Sequence, residues 1–177
     1  TWEMAKRVRR RFRGGRIVDL ACGHGLLAHI LFILDDTSET ALAVDSRIPK
    51  NALKLSDILT GRWPRLKNRI SYMESGIETI EILPGDLVVS AHACGGLTDT
   101  VIEKAVEKNA RVAVMPCCHD DSVSDTGALQ GWMDVSLAID AVRAIRLNEK
   151  GYDIFTRKIP DAITPKNRLL LGKPKKQ

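Results

Sequence analysis

Residues 16–25 read Arg-Ile-Val-Asp-Leu-Ala-Cys-Gly-His-Gly, or RIVDLACGHG. Arg16–Ala21 is a short apolar run ending in glycines, and Leu26–Leu34 follows with apolar side chains at nearly every position. Such a run, then a glycine turn, then an apolar helix, predicts a strand buried on both faces of a parallel sheet and its crossover. Gly23 and Gly25 have no Cβ, so the backbone there can turn sharply and approach a ligand closely. The free N–H groups at the start of the next helix face the same space. Ligands of open α/β sheets bind beyond the carboxyl ends of the strands. A pocket is therefore expected at Asp19–Gly25.

The alternation continues outward from this stretch. Thr40–Val44 (TALAV) predicts a second strand, closed by Asp45, twenty positions after Gly25. A carboxylate at that place can accept hydrogen bonds from both hydroxyls of a ribose. Lys50–Leu59 has helical spacing, and Arg69–Met73 and Asp86–Ala91 predict the third and fourth strands. Thr98–Lys108 predicts a helix carrying a capping box, Thr100-x-x-Glu103. Arg111–Met115 predicts a fifth strand stopped by Pro116, and Trp132–Lys150 a long helix capped by Gly151. Tyr152–Ile159 and Arg168–Gly172 follow without a helix between them, so they predict an antiparallel pair at a sheet edge. Thr1–Phe12 predicts an N-terminal helix, broken by Gly14-Gly15. The expectation is seven strands and about six helices in one domain over residues 1–177. Residues 1–15 form a basic helix that could end an upstream region.

Composition sets the outer limits. A chain of 177 residues with 44% hydrophobic and 28% charged side chains suits one soluble globular domain. Aromatics at 5% argue against a base-stacking platform. No apolar run approaches the ~20 residues that span a bilayer. Cys22, Cys94, Cys117 and Cys118 include an adjacent pair, which suits a reduced, cytoplasmic setting better than a disulfide framework. Net charge is +5, and Lys6–Arg16 (KRVRRRFRGGR) holds seven basic residues and no acid, while the C-terminus reads KPKKQ. Such clusters attract phosphate chains, so RNA is the expected partner; a solvated helix face is the alternative. Oligomeric state is not indicated.

Glycine loop plus acid fits a dinucleotide or S-adenosylmethionine. The dinucleotide pattern Gly-x-Gly-x-x-Gly fits poorly, with Ala at position 28 and Ala21 in the first position. Asp19 suits a methionine ammonium, or the ordering of the loop, and does nothing for a pyrophosphate. The two additional C-terminal strands do not belong to a minimal dinucleotide-binding half.

VDLACGHG resembles motif I of the class I, seven-stranded S-adenosylmethionine-dependent methyltransferases, whose pattern is acid-x-Gly-x-Gly-x-Gly. LAVD resembles their second motif, and the resemblance runs from Arg16 to about Pro174. It departs at Ala21, where that family usually has glycine. The resemblance implies a doubly wound, mainly parallel α/β sheet of order 3-2-1-4-5-7-6, the last strand antiparallel, with helices on both faces. It implies S-adenosyl-L-methionine as cofactor, with Asp19, Ala21, Gly23 and Gly25 on the methionine part and Asp45 on the ribose. Ser46 or Arg47 would flank the adenosine, and Glu74 would meet the adenine. Cys22, Ser90 and His92 complete the implied cofactor set.

Two histidine–cysteine segments stand at the ends of strands four and five: Ser90-Ala91-His92-Ala93-Cys94-Gly95-Gly96-Leu97-Thr98-Asp99 and Met115-Pro116-Cys117-Cys118-His119-Asp120. The (Asp/Asn)-Pro-Pro-(Tyr/Phe) segment of many base and glutamine methylases is absent. HACGGLTD, PCCH and Thr164–Gly172 (TPKNRLLLG) resemble a methyltransferase subgroup that includes a tRNA ribose 2′-O-methylating family. His92 or His119 could serve as general base, with Cys94 beside them at the acceptor edge. The cysteines could equally be small buried hydrophobes. Structural zinc usually uses separated Cys-x2–4-Cys pairs, and this spacing differs, so no metal is expected. Methyl transfer to RNA is the expected function, and a catalytically silent cofactor-binding or interaction module of a larger protein is the alternative.

Overall fold

In the computed structural model, which describes residues 1–91 and 93–175, RIVDLACGHG folds as a buried strand, a turn and a helix. Strand β1 is Ile17–Leu20, buried at all four positions, and helix α2 is Leu26–Leu34. The other strands are β2 (Ala41–Asp45), β3 (Ile70–Glu74), β4 (Leu87–Ser90), β5 (Arg111–Val114), β6 (Tyr152–Lys158) and β7 (Arg168–Pro174). The order is β3-β2-β1-β4-β5-β7-β6, as the sequence implied. β1 is parallel to β2 and β4, β2 to β3, and β4 to β5, while β7 runs antiparallel to β5 and β6.

Side-chain alternation along β1 divides the core. Ile17 packs with Leu27, Ala28 and Leu31 of α2 and with Met4, Ala5 and Val8 of α1 (Trp2–Arg11). Val18 and Leu20 face the opposite layer, with Val101, Ile102 and Ala105 of α4 (Leu97–Glu107). Each fully buried aliphatic side chain contributes about 2 kcal/mol by removal from water. Asp19 has the parity of Ile17, so it is directed to the α2 side at the carboxyl end of the strand.

Two local expectations are corrected. The last helix, α5, spans Val135–Glu149 and does not begin at Trp132. Asp134 caps it, accepting from the Ser136 N–H at 2.9 Å and the Leu137 N–H at 3.3 Å, and an aspartate with two free N–H groups ahead of it is a strong helix start. Nor does Thr100 form a capping box: α4 starts at Leu97 after Gly96, which leaves Thr100 inside the helix. Among the described residues there are five α-helices, the third being α3 (Ala52–Arg62), one fewer than the six or so expected, together with three 3₁₀ turns. No helix among them is long and apolar enough to cross a membrane.

The basic N-terminal segment proves to be tied largely into the fold. Arg9 is buried, donating from Nε to the Leu31 carbonyl at 2.9 Å and from Nη2 to Ser38 Oγ at 3.1 Å, with Asp35 3.6 Å away. Arg16 meets Asp86 at 2.6 Å, Lys6 and Arg7 pair with Glu3, and the Arg11 guanidinium lies 3.5 Å over the Phe155 ring. A charge cluster that looks like one exposed face in sequence divides among several internal partners when wound into α1.

Candidate cofactor site

The end of β1, the glycine loop and the start of α2 border a cavity of about 310 Å³, lined by Asp19, Ala21, Gly23, His24, Leu27 and Ala91 among others. Larger cavities lie elsewhere, one of about 540 Å³ between α4 and α5 and one of about 410 Å³ beside Asp140 and Arg168. The glycine-loop cavity is bordered by the Asp19 carboxyl and the backbone of Ala21–His24, and Asp45 is tied to it through the Gly23 N–H.

Asp19 is 1% exposed, and its Oδ2 accepts from the Ala28 N–H at 3.2 Å. It thereby caps α2 from across the loop. Burial pushes its carboxyl up to about 7; the Ala28 hydrogen bond opposes this and the Asp45 charge adds to it. Asp45 Oδ2 accepts from the Gly23 N–H at 2.8 Å, and its Oδ1 from the Arg47 N–H at 3.3 Å. These bonds tie the glycine loop to the end of β2. Each carboxylate oxygen can accept twice, so capacity for hydroxyl donors remains.

Gly23 sits at φ +54°, and a Cβ there would meet nothing within 4 Å, so the glycine opens onto unfilled space. Gly25 sits at φ +70°, and a Cβ there would lie 2.7 Å from Tyr72 Oη. The Tyr72 hydroxyl donates to the His24 carbonyl at 3.0 Å, and burial raises it to about 12. Ala21, where the methyltransferase pattern usually has glycine, is itself left-handed at φ +53°. That geometry explains the usual glycine, and Ala21 holds it with strain.

The remaining expected cofactor residues take varied places. Cys22 is buried, its N–H bonded to the Val44 carbonyl at 2.9 Å, and burial raises its thiol. Ser46 is exposed, with Oγ 3.4 Å from Asp45 Oδ1. Glu74 ends β3 and accepts from the Ile48 N–H at 3.0 Å, tying the segment between β2 and α3 to the end of β3. Ser90 is buried and accepts from the Ala93 N–H at 3.2 Å, shaping the turn after β4. His29 is wholly buried, with Nδ1 2.8 Å from the Gly25 carbonyl oxygen and Nε2 3.1 Å from Ser56 Oγ; burial lowers its pKa. Its role is to bind the glycine loop to α2 and α3. His92 lies outside the described residues.

At the acceptor edge the structure separates what the sequence grouped. Cys94 Sγ lies 3.3 Å from Cys117 Sγ, and Cys118 joins them. His119 turns instead to α5, with Nε2 2.8 Å from Asp140 Oδ1. Asp140 also accepts from Arg168 Nε at 2.6 Å. Buried Arg143 grips Asp99 with two bonds of 2.7 Å and the Gly95 carbonyl at 3.0 Å, fixing the loop after β4 to α5. Sequence reasoning missed Tyr72, Asp140 and Arg143. Tyr72 is an ordinary strand residue until β3 pairs with β2 and brings it beneath the loop.

Glycine loop, buried acid and strand-two acid suit S-adenosylmethionine: Gly23 leaves a cradle, Asp19 a buried carboxyl and Asp45 an acceptor. A family model described as "Methyltransferase domain" matches residues 3–125. The chain belongs to this methyltransferase-domain family. A glutathione S-transferase C-terminal domain-containing protein homolog from Drosophila pseudoobscura pseudoobscura is 28% identical, the match covering 93% of this chain and 34% of the relative. The chain thus spans about a third of that protein's length. An O-methyltransferase family protein from Burkholderia thailandensis shares the fold with TM-score 0.60 and 18% identity, over 97% of this chain and 55% of its own. A ribosomal protein L11 methylase from Lactobacillus delbrueckii subsp. bulgaricus gives TM-score 0.61 and 15% identity, over 98% and 78%. These two structures speak for the fold alone.

Proposed function

We propose that this domain transfers the methyl group of S-adenosylmethionine to RNA. The observation that carries the cofactor half is a cavity at the carboxyl end of β1 lined by buried Asp19 and the open, left-handed Gly23, whose N–H is held by Asp45 at the end of β2. When bound, the cofactor supplies an electrophilic methyl on a sulfonium. Asp19 faces the methionine ammonium, Asp45 accepts from the ribose hydroxyls, and Glu74 with Ser46 borders the adenosine. Placing the acceptor in line with that methyl falls to the loops after β4 and β5, which carry Cys94, Cys117 and Cys118. His92 is proposed at the same edge as base or orienting group, on the sequence resemblance alone. His119, held by Asp140, orients the second loop.

Support for RNA comes from the net charge of +5, the resemblance of HACGGLTD, PCCH and TPKNRLLLG to a tRNA ribose-methylating subgroup, and exposed Arg47, Lys50 and Lys54 after Asp45. Those three cations suit a phosphate chain. The free thiols suit a reducing, cytoplasmic setting. The test is transfer of tritiated methyl from labelled cofactor to bulk tRNA and, separately, to bulk protein. Label in tRNA, reduced several-fold by the triple charge reversal of Arg47, Lys50 and Lys54 to Glu, is expected. Label in protein alone would overturn the RNA assignment. Cofactor binding with no label in either would favour the silent module.

A further inference from the structure

The sequence spacing of Cys94, Cys117 and Cys118 argued against a metal, but the fold gathers their sulfurs. Cys94 Sγ lies 3.3 Å from Cys117 Sγ, Cys117 Sγ lies 3.8 Å from Cys118 Sγ, and all three sulfurs fall within 4.8 Å of one another. Four-coordinate zinc with Zn–S bonds of about 2.3 Å requires sulfurs about 3.8 Å apart. The separations therefore already approximate one face of a thiolate coordination shell. Thiols are weak hydrogen-bond donors and acceptors, so mutual hydrogen bonding explains little of the convergence.

The scaffold under the three sulfurs is rigid. The Gly95 N–H donates to the Cys118 carbonyl at 3.1 Å, joining the loop after β4 to the loop after β5. Thr98 Oγ1 donates to the Ala93 carbonyl at 2.6 Å, and Arg143 holds the Gly95 carbonyl. Cys94 and Cys118 are exposed and Cys117 is half-buried, so an ion can enter from solvent. Contact with Cys117, then with Cys118, and burial oppose ionisation of the Cys94 thiol and push it up to about 12. A cation removes that opposition.

We propose that Cys94, Cys117 and Cys118 form a three-thiolate site for a thiophilic d¹⁰ cation, Zn²⁺ or Cu⁺, with a coordination position open to solvent. Soft sulfur ligands select these ions over Mg²⁺ or Ca²⁺. Binding forms three metal–sulfur bonds and releases the thiol protons to solvent. No electron transfer is involved. The bound ion cross-links the β4 and β5 loops. This site is independent of the methyl-transfer reading, and neither stands or falls with the other.

The experiment uses the reduced, chelator-treated 177-residue chain. Titration with Co²⁺ should give a thiolate-to-metal charge-transfer band that saturates at one equivalent and is displaced by Zn²⁺, while Cu⁺ is titrated against a chromophoric competitor. Cys94→Ser, Cys117→Ser and Cys118→Ser should each weaken binding at least tenfold, with apo melting temperatures unchanged to show that they fold. Independently of variants, Zn²⁺ or Cu⁺ should slow alkylation of these three thiols in the wild-type chain, mapped by mass spectrometry. No band at one equivalent and no Cu⁺ uptake would overturn the site. Binding that survives any one of the substitutions in a folded variant, or alkylation unaffected by either metal, would overturn it too.

Discussion

Replacing Asp19 with Asn probes the pocket where sequence, burial and charge meet. The variant keeps an acceptor for the Ala28 N–H and removes the titrating proton. The ordinary carboxyl value of 3.8 rises to about 7 in the fold, chiefly through burial. A displacement of roughly three pH units corresponds to about 4 kcal/mol, a ceiling that local relaxation lowers to about 2–4. Below pH 4 Asp19 is protonated in both folded and unfolded chains and contributes no pH dependence. Between pH 4 and 7 the folded chain holds a proton that the unfolded chain has lost, so wild-type stability falls as pH rises. Above 7 the full penalty is present. Urea unfolding of both proteins at pH 4, 5, 6, 7 and 8 should show the stability gap moving in favour of Asp19→Asn by about 2–4 kcal/mol, with the change complete near pH 8. A constant gap, or one moving toward the wild type, would refute the buried, proton-holding carboxyl. The same titration should tighten cofactor binding roughly tenfold from pH 6 to 8 in the wild type, because the charged fraction at a pKa of about 7 rises from about a tenth to nine tenths, and leave the variant flat.

Three further outcomes follow from named geometry. Ala21→Gly relieves a residue at φ +53°; about 1–2 kcal/mol of left-handed strain against about 0.5–1 of added unfolded-chain entropy leaves the variant equal or up to about 1.5 kcal/mol more stable by denaturant melts. Gly25→Ala adds a left-handed residue and a Cβ 2.7 Å from Tyr72 Oη, so it should lose about 2–4 kcal/mol, and a Tyr72→Phe background should recover part of that loss. Arg143→Met breaks the two 2.7 Å bonds to Asp99 and frees the Gly95 carbonyl; it should cost about 3 kcal/mol and speed amide exchange in residues 94–98.

The sheet was legible because its information is local and repeated. Ile17–Leu20 and Leu87–Ser90 are apolar runs buried at every position, and the absence of a helix between β6 and β7 reports their antiparallel pairing. The juxtaposition of Asp19, Gly23, Gly25 and Asp45 was legible because a glycine turn at the end of one strand and an acid at the end of the next leave a fixed spacing. The start of α5 was misplaced because apolar Trp132 mimics helical periodicity while Asp134 supplies the stronger cap. The fate of the basic N-terminal residues was hidden because Asp35, Asp86 and Phe155 reach them only through tertiary packing. The approach of Cys94 to Cys117 and Cys118 was legible from the neighbouring places of β4 and β5 in the expected strand order, whereas the turn of His119 to Asp140 depends on how α5 packs.

The cofactor assignment is tested most directly by calorimetric titration of S-adenosylhomocysteine into the wild-type chain and into Asp45→Ala at pH 8. One equivalent should bind the wild type, and the variant should bind at least tenfold more weakly while melting cooperatively. No binding to the wild type, or equal affinity in both, would contradict a cofactor held between the glycine loop and Asp45.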